Sequence, residues 1–167
     1  MKLSWYGLKI SIAGAKLSHL VQKDKIWDHG TMVEFVKIVF YQVQKARSGE
    51  DGDTIKKYFT VAGYQKLKRQ MEKQQAVGKL RVIKNSRIKQ IAIIDLMPAT
   101  DKHPDLFTTL VKGYEVHDFE DWNNSVQPVK HDDIIHEFSE RWSFIREGDW
   151  WLLDDMKIKK AFQKMKN

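Results

Sequence analysis

From Ile134 the even positions read Ile134, His136, Phe138, Glu140, Trp142, Phe144 and Arg146, and the odd ones Ile135, Glu137, Ser139, Arg141, Ser143 and Ile145. Large apolar and aromatic side chains recur on one side at period two, which predicts a half-buried strand. Glu147-Gly148-Asp149 supplies turn chemistry, because Gly tolerates positive φ and Asp can hydrogen-bond its own backbone. Trp150-Trp151-Leu152-Leu153 then returns as a second apolar run, so the whole predicts an antiparallel hairpin. With Trp142, Phe144, Trp150 and Trp151 it is the aromatic-richest part of the chain, and rings of that size dominate a small core.

At the other end of the chain the period is longer. Leu3, Ile10 and Leu17, together with Tyr6, Ala13 and Leu20, recur every seven residues, and so do Lys2, Lys9, Lys16 and Lys23. On a helix this gives an apolar stripe beside a lysine row. Trp5 and Tyr6 next to that basic edge are what a helix lying in a membrane interface presents. The other reading is a helix packed on the domain or on a second copy of it. Gly7 and Gly14 fall inside this helix, each costing about 1 kcal/mol of propensity relative to Ala.

Asp28 or Thr31 can cap the next helix, and Thr31 with Glu34 fits a capping box. Its body is apolar at Val33, Val36, Val39, Phe40 and Val43, with Phe35 and Ile38 widening the face, and it stops at Gly49 and Asp51-Gly52. A short helix is expected over 53–59. Thr60 then caps a third long one that ends near Gly78, with Tyr64, Leu67 and Met71 inward and Lys66, Lys68, Arg69 and Lys73 outward. Beyond Gly78 the β-branched runs 80–83, 87–97 and 106–122 predict strands, with Gly113 as a bulge or bend. A polar connection, 123–133, leads to the hairpin, and a basic tail begins at Lys157.

Helices followed by about four consecutive strands make an α+β pattern. The expected architecture is N-terminal helices packed on a strongly bent antiparallel sheet, forming a cone with a hydrophobic cavity. Three segments are expected: a basic amphipathic helix over 1–26, the cone domain over 27–157 and a basic tail over 158–167.

The 167 residues suit one domain. A formal net charge of +7 points to anionic partners, either an acidic lipid surface or nucleic acid and the ribosome, although mild basicity also serves solubility alone. Without cysteine there are no disulfides or thiolate metal sites. No apolar run is long enough for a spanning helix, and the start lacks the features of a secretory signal. A cytoplasmic protein, peripheral at the inner face of a membrane, is the expectation.

Chemistry is written less sharply. There is no phosphate-cradling Gly-rich loop and no nucleophile elbow. Asp95, Tyr114, His117, His136 and Glu140 are the residues a cavity enzyme would use. Glu140, on the face of Trp142, would have a raised pKa in apolar surroundings and act as a base. The plainer expectation is a hydrogen-bonded or ion-paired residue, for instance with an arginine across the sheet. His131, Asp132, Asp133, His136 and Glu137 match no metal-site spacing, so neither metal nor cofactor is expected. The pocket or core candidates are Phe35, Val39, Tyr58, Tyr64, Phe138, Trp142, Phe144 and Trp151.

Four stretches, FVKIVFYQVQKAR before GEDGD, then IKKYFT, VAGYQKLKRQM and ERWSFIREGDWWLLDDM, together resemble the Tim-forty-four-like domain family. The resemblance covers about 31–156. It implies a nuclear-transport-factor-two-like cone, an apolar cavity, no catalysis, binding at a membrane, and protein partners in translocation or translation. Relatives carry amphipathic helices before the domain that attach to anionic lipid, and the segment holding Lys2, Trp5, Tyr6, Lys9, Lys16 and Lys23 is the matching place. No transit peptide is read at the start, which points to a bacterial relative. The function expected is thus a non-enzymatic, membrane-associated binding module for anionic lipid, a hydrophobic ligand or peptide, or a protein partner that includes a second copy. The alternatives are a ribosome- or RNA-binding module built on the 66–73 row and the tail, and a small cavity enzyme of the isomerase or dehydratase type.

Overall fold

The computed structural model describes residues 4–48, 52–76, 79–121 and 134–158. In chain order they form α1 (Trp5–Lys23), a 3₁₀ turn (Lys25–Trp27), α2 (His29–Arg47), a 3₁₀ segment (Gly52–Tyr58), α3 (Val61–Ala76) and strands β1 (Lys79–Met97), β2 (Leu106–Asp121), β3 (Ile134–Glu147) and β4 (Trp150–Ile158). The strands make one antiparallel sheet of order β1-β2-β3-β4, curled but not closed, with the three helices packed against it. The fold is α+β, as the pattern predicts.

Caps set the helix boundaries. Ser4 Oγ accepts from Gly7 N–H at 3.0 Å and starts α1. Asp28 starts α2: its Oδ2 accepts from the Thr31 N–H at 2.9 Å and the Thr31 hydroxyl at 2.7 Å. Thr31 is therefore a donor in the first turn and not the cap, and Glu34 pairs instead with Lys37 at 3.1 Å on the surface. The expected helix over 53–59 is a 3₁₀ segment. Its end is held by a parallel bridge from Phe59 to Leu153 of β4, and the tighter, longer-rising 3₁₀ form reaches further per residue than an α-helix. Thr60 caps α3 as expected, accepting from Gly63 N–H at 3.0 Å, and also donates to Asp154 at 2.7 Å.

The curl comes from β1. Its 19 residues run beside the 16 of β2, and the register shifts at Ile83/Asn85, Ile88/Gln90 and Ile93/Asp95, leaving Lys84, Lys89 and Ile94 as extra residues. A bulge lengthens one strand, bends it and increases its twist. What looked like two separate runs is one bulged strand. Of the bulge or bend expected at Gly113, β2 carries no bulge of its own, since it pairs with β3 in unbroken register; the extra residue beside it, Lys89, belongs to β1. Gly113 answers to a close approach instead: a Cβ there would lie 2.2 Å from the Arg87 carbonyl oxygen and 2.7 Å from the Phe138 ring.

Inside the curl lies α2, whose Met32, Val36, Val39, Phe40 and Val43 are fully buried. They meet a sheet face of rings: Phe107 stacks on Phe144 with centroids 4.8 Å apart, Trp151 meets Phe107 and Trp27 edge to face, and Phe40 stacks on Phe138 at 5.5 Å. Burying each such side chain stabilises the fold by about 2 kcal/mol. A smaller cluster, Ala92, Ile94 and Leu110, occupies the other face of the sheet under Tyr6 and Ile10 of α1. The hairpin closes through Gly148 at φ +62, the first residue of a two-residue loop between Glu147 and Trp150.

Two glycine substitutions should move stability in opposite directions. Gly113→Ala is expected to cost about 1–3 kcal/mol, since backbone and ring must both give way. Gly14→Ala, where a Cβ meets nothing within 4 Å on a helix surface, should add up to about 1 kcal/mol. Urea midpoints of the two variants check this.

Candidate functional site

Among the described residues, three regions of the surface and core carry features beyond packing. The first is the outer side of α1. Tyr6, Ile10, Ala13 and Leu17 face the sheet and core, and the Tyr6 hydroxyl accepts from Arg141 at 3.2 Å. Trp5, Leu8 and Ile12 point away and are 68%, 47% and 49% exposed. They follow one another at i, i+3 and i+7 and so share a stripe. Lys9 lies beside it with Nζ 5.4 Å from the Trp5 ring, and exposed Lys16 and Lys23 continue the row. Of the residues expected at a membrane, Trp5, Lys9, Lys16 and Lys23 are thus brought together, Tyr6 is turned inward, and Lys2 lies outside the described residues. Leu8 and Ile12 were not anticipated, although their spacing from Trp5 is the signal that marks them.

The second region is the rim of the curl, where α2, the Gly52–Tyr58 segment and the hairpin tip leave two half-open grooves. One, of about 350 Å³, is lined by Ile26, Phe35, Trp150 and Trp151 with Asp24, Lys25, Thr31 and Asp149 at its edges. Its neighbour, of about 370 Å³, is lined by Phe35, Ile38, Lys57, Tyr58 and Trp150. Of the pocket candidates, Phe35, Tyr58 and Trp151 line these grooves. Tyr64 lines another, of about 230 Å³, between α2 and α3. Val39, Trp142 and Phe144 are fully buried core, and Phe138 is half-buried against Phe40.

Arg146 fixes the first groove's edge. It donates to Asp24, to Asp105 at 3.0 Å and to the Gly148 carbonyl. It thereby ties the end of α1, the start of β2 and the hairpin turn. The Arg146 hydrogen bond, helped by the Ile26 N–H, holds the Asp24 carboxyl below its ordinary value of 3.8.

The third region is a buried polar cluster at the far end of α2. Arg47 grips Glu140 through two contacts, at 3.0 and 3.4 Å, and Glu140 also accepts from Trp142 Nε1 at 2.9 Å. Gln44 donates to Glu115 and to Ser86, and receives Arg47 at 3.3 Å. The arginine that pairs with Glu140 comes from α2 and not, as expected, from across the sheet. Gln44, Arg47 and Glu115 were missed, yet Gln44 and Arg47 continue the inward stripe of Phe40 and Val43. Among the described residues, Asp95 and Tyr114 are exposed and stand apart from the buried Glu140, and the side chain of His117 lies outside the described residues. His136 faces Glu115 in the β2–β3 register. The described residues hold no group of three or more potential metal ligands, and His131, Asp132 and Asp133 lie outside them. Of the basic row on α3, Lys66 pairs with Asp155.

No protein-family model matches the chain, and no curated protein matches it. Among solved structures, the intermembrane space region of the chloroplast protein ARC6 is similar with a TM-score of 0.46 at 9% identity, over 74% of this chain and 92% of that one. At that distance the likeness says nothing of function.

Breaking the buried pair should be far worse than replacing it. Arg47→Met is expected to cost about 3–5 kcal/mol, because Glu140 is left charged and buried. Arg47→Met/Glu140→Gln should recover much of that while keeping an acceptor for Trp142, as thermal or urea unfolding will read. Asp24 gives a pH test. Its folded pKa is depressed, so its contribution is present above the ordinary 3.8 and lost as pH falls through the folded value. Arg146→Met should therefore lower stability at neutral pH and shrink the loss seen on acidifying below about pH 4.

Proposed function

We propose that the chain is a non-enzymatic, membrane-associated binding module. It docks to anionic lipid through the outer side of α1 and offers the grooves at the sheet rim to a hydrophobic ligand or a protein partner. Its place is the inner, cytoplasmic face of a membrane. The observation that carries this reading is that α1 is apolar on two sides. One side is used up on the sheet and core, so Trp5, Leu8 and Ile12 have no intramolecular reason to be apolar, and Lys9, Lys16 and Lys23 run beside them.

Such a helix lies in the interface with its apolar side chains below the headgroups and its lysines among the phosphates. Each basic residue near an anionic surface contributes about 1 kcal/mol, and each apolar side chain buried about 2 kcal/mol. Among the described residues no helix is long and apolar enough to cross a membrane, so attachment through α1 would be peripheral. The resemblance of 31–156 to the Tim-forty-four-like family supports the same reading.

Co-sedimentation with phosphatidylglycerol vesicles across a salt series tests it. The protein should pellet, more weakly as salt rises, and RNA should not displace it. Leu8→Ser/Ile12→Ser and, separately, Lys9→Glu/Lys16→Glu/Lys23→Glu should each weaken binding at least about tenfold with the fold intact. Unchanged binding in both variants would contradict the reading, and displacement by RNA would favour a nucleic-acid partner.

A further inference from the structure

The two rim grooves meet at Phe35 and Trp150, an edge-to-face pair with ring centroids 5.1 Å apart that lines both. On one side the lining continues to Ile26 and Trp151, on the other to Ile38 and Tyr58. Trp150 is 52% and Ile38 49% exposed. Adjacent large apolar side chains left open to water around a concave surface mark a place that something covers.

Charge says what. The Asp24 carboxylate is engaged by Arg146, which also reaches Asp149 at 3.6 Å. The cations are not neutralised in the same way. No carboxylate of the described residues pairs with Lys25 or Lys57, which stand in different grooves on either side of the Phe35–Trp150 pair, and Lys57 rests over the Tyr58 ring at 5.1 Å. An apolar track with, on each side, an ammonium that no described carboxylate pairs with complements an amphiphile with an anionic head. Volumes of about 350 and 370 Å³, open along one side, suit a single alkyl chain.

We infer that the rim groove binds one molecule of a long-chain carboxylate. Its alkyl chain lies along Phe35 and Trp150, and its carboxylate sits against Lys25 or Lys57. This deepens the ligand-binding half of the function proposed above and rests on that half alone; it does not depend on the outer side of α1.

The test is a fluorescence titration of the full chain with dansyl-undecanoate below its micelle concentration, with dodecanoate and dodecyltrimethylammonium as competitors. One saturable site is expected, displaced by dodecanoate and at least about tenfold less well by the cationic analogue. Lys25→Glu/Lys57→Glu and Trp150→Ala should each weaken it about tenfold or more, with unfolding temperature as the check on folding. Leu8→Ser/Ile12→Ser should leave this titration unchanged, so failure of the groove and failure of membrane docking read out separately. Three results would each overturn the inference: no saturable binding, equal displacement by the cation, or full affinity in Lys25→Glu/Lys57→Glu. A Trp150→Ala variant that changes the sedimentation velocity of the protein but not its probe binding would also overturn it, showing the surface to be covered by a second copy.

Discussion

The fold depends on a mismatch of length. The edge strand β1 is longer than its partner β2, and the three extra residues are absorbed as bulges at Lys84, Lys89 and Ile94. Each bulge adds bend and twist to a sheet that already twists. The result is a face curved enough to hold α2, so that Val36, Val39, Phe40 and Val43 meet rings contributed by three strands. A flat sheet would offer α2 one line of contact and leave Phe107 or Trp142 uncovered. A single bulge in β4, at Asp154, serves the other edge: it presents the carboxylate that takes the Thr60 hydroxyl and lets α3 dock.

What the curl leaves outside is as informative as what it encloses. The N-terminal half of α1 lies on the outer face, where Tyr6 and Ile10 cover a small cluster and Arg141 holds the Tyr6 hydroxyl. Its C-terminal end is held by Arg146 through Asp24. Tied at both ends, α1 keeps a fixed side turned to solvent, and that side is apolar and basic. The same Arg146 shapes the groove at the hairpin tip and engages its nearest acid. The proposed lipid docking and the proposed ligand capture would thus draw on separate side chains placed by one set of contacts.

Much of this was legible in the sequence. Period-two alternation placed Glu140, Trp142 and Phe144 on one inward face, because a strand with one buried face must alternate. Gly148, Thr60 and the inward line of Leu67 followed from local chemistry. The bulges did not, since they belong to the pairing of two strands and neither strand shows them alone. Asp28 and Thr31 both offer a capping oxygen, and only geometry decides between them. The seven-residue repeat in α1 picked out the stripe that packs inward and hid the second stripe of Leu8 and Ile12. An apolar stripe does not mark polar members, so Gln44 and Arg47 went unread, although they sit on the buried side of α2 where Glu115 and Glu140 meet them. Alternation also tells face but not depth, so Trp151, which also lines a groove, and Phe144, which lies wholly in the core, looked alike.

The central claim is that α1 meets lipid with one side while the other stays on the sheet. The absence of native cysteine makes it directly measurable by single-site labelling with an environment-sensitive nitrobenzoxadiazole probe. In Leu8→Cys, on the outer stripe, the probe should shift to the blue on phosphatidylglycerol vesicles and be quenched by brominated acyl chains. In Val61→Cys, at the exposed start of α3, it should do neither. A probe at position 8 that ignores the vesicles, or equal responses at both positions, would contradict the account.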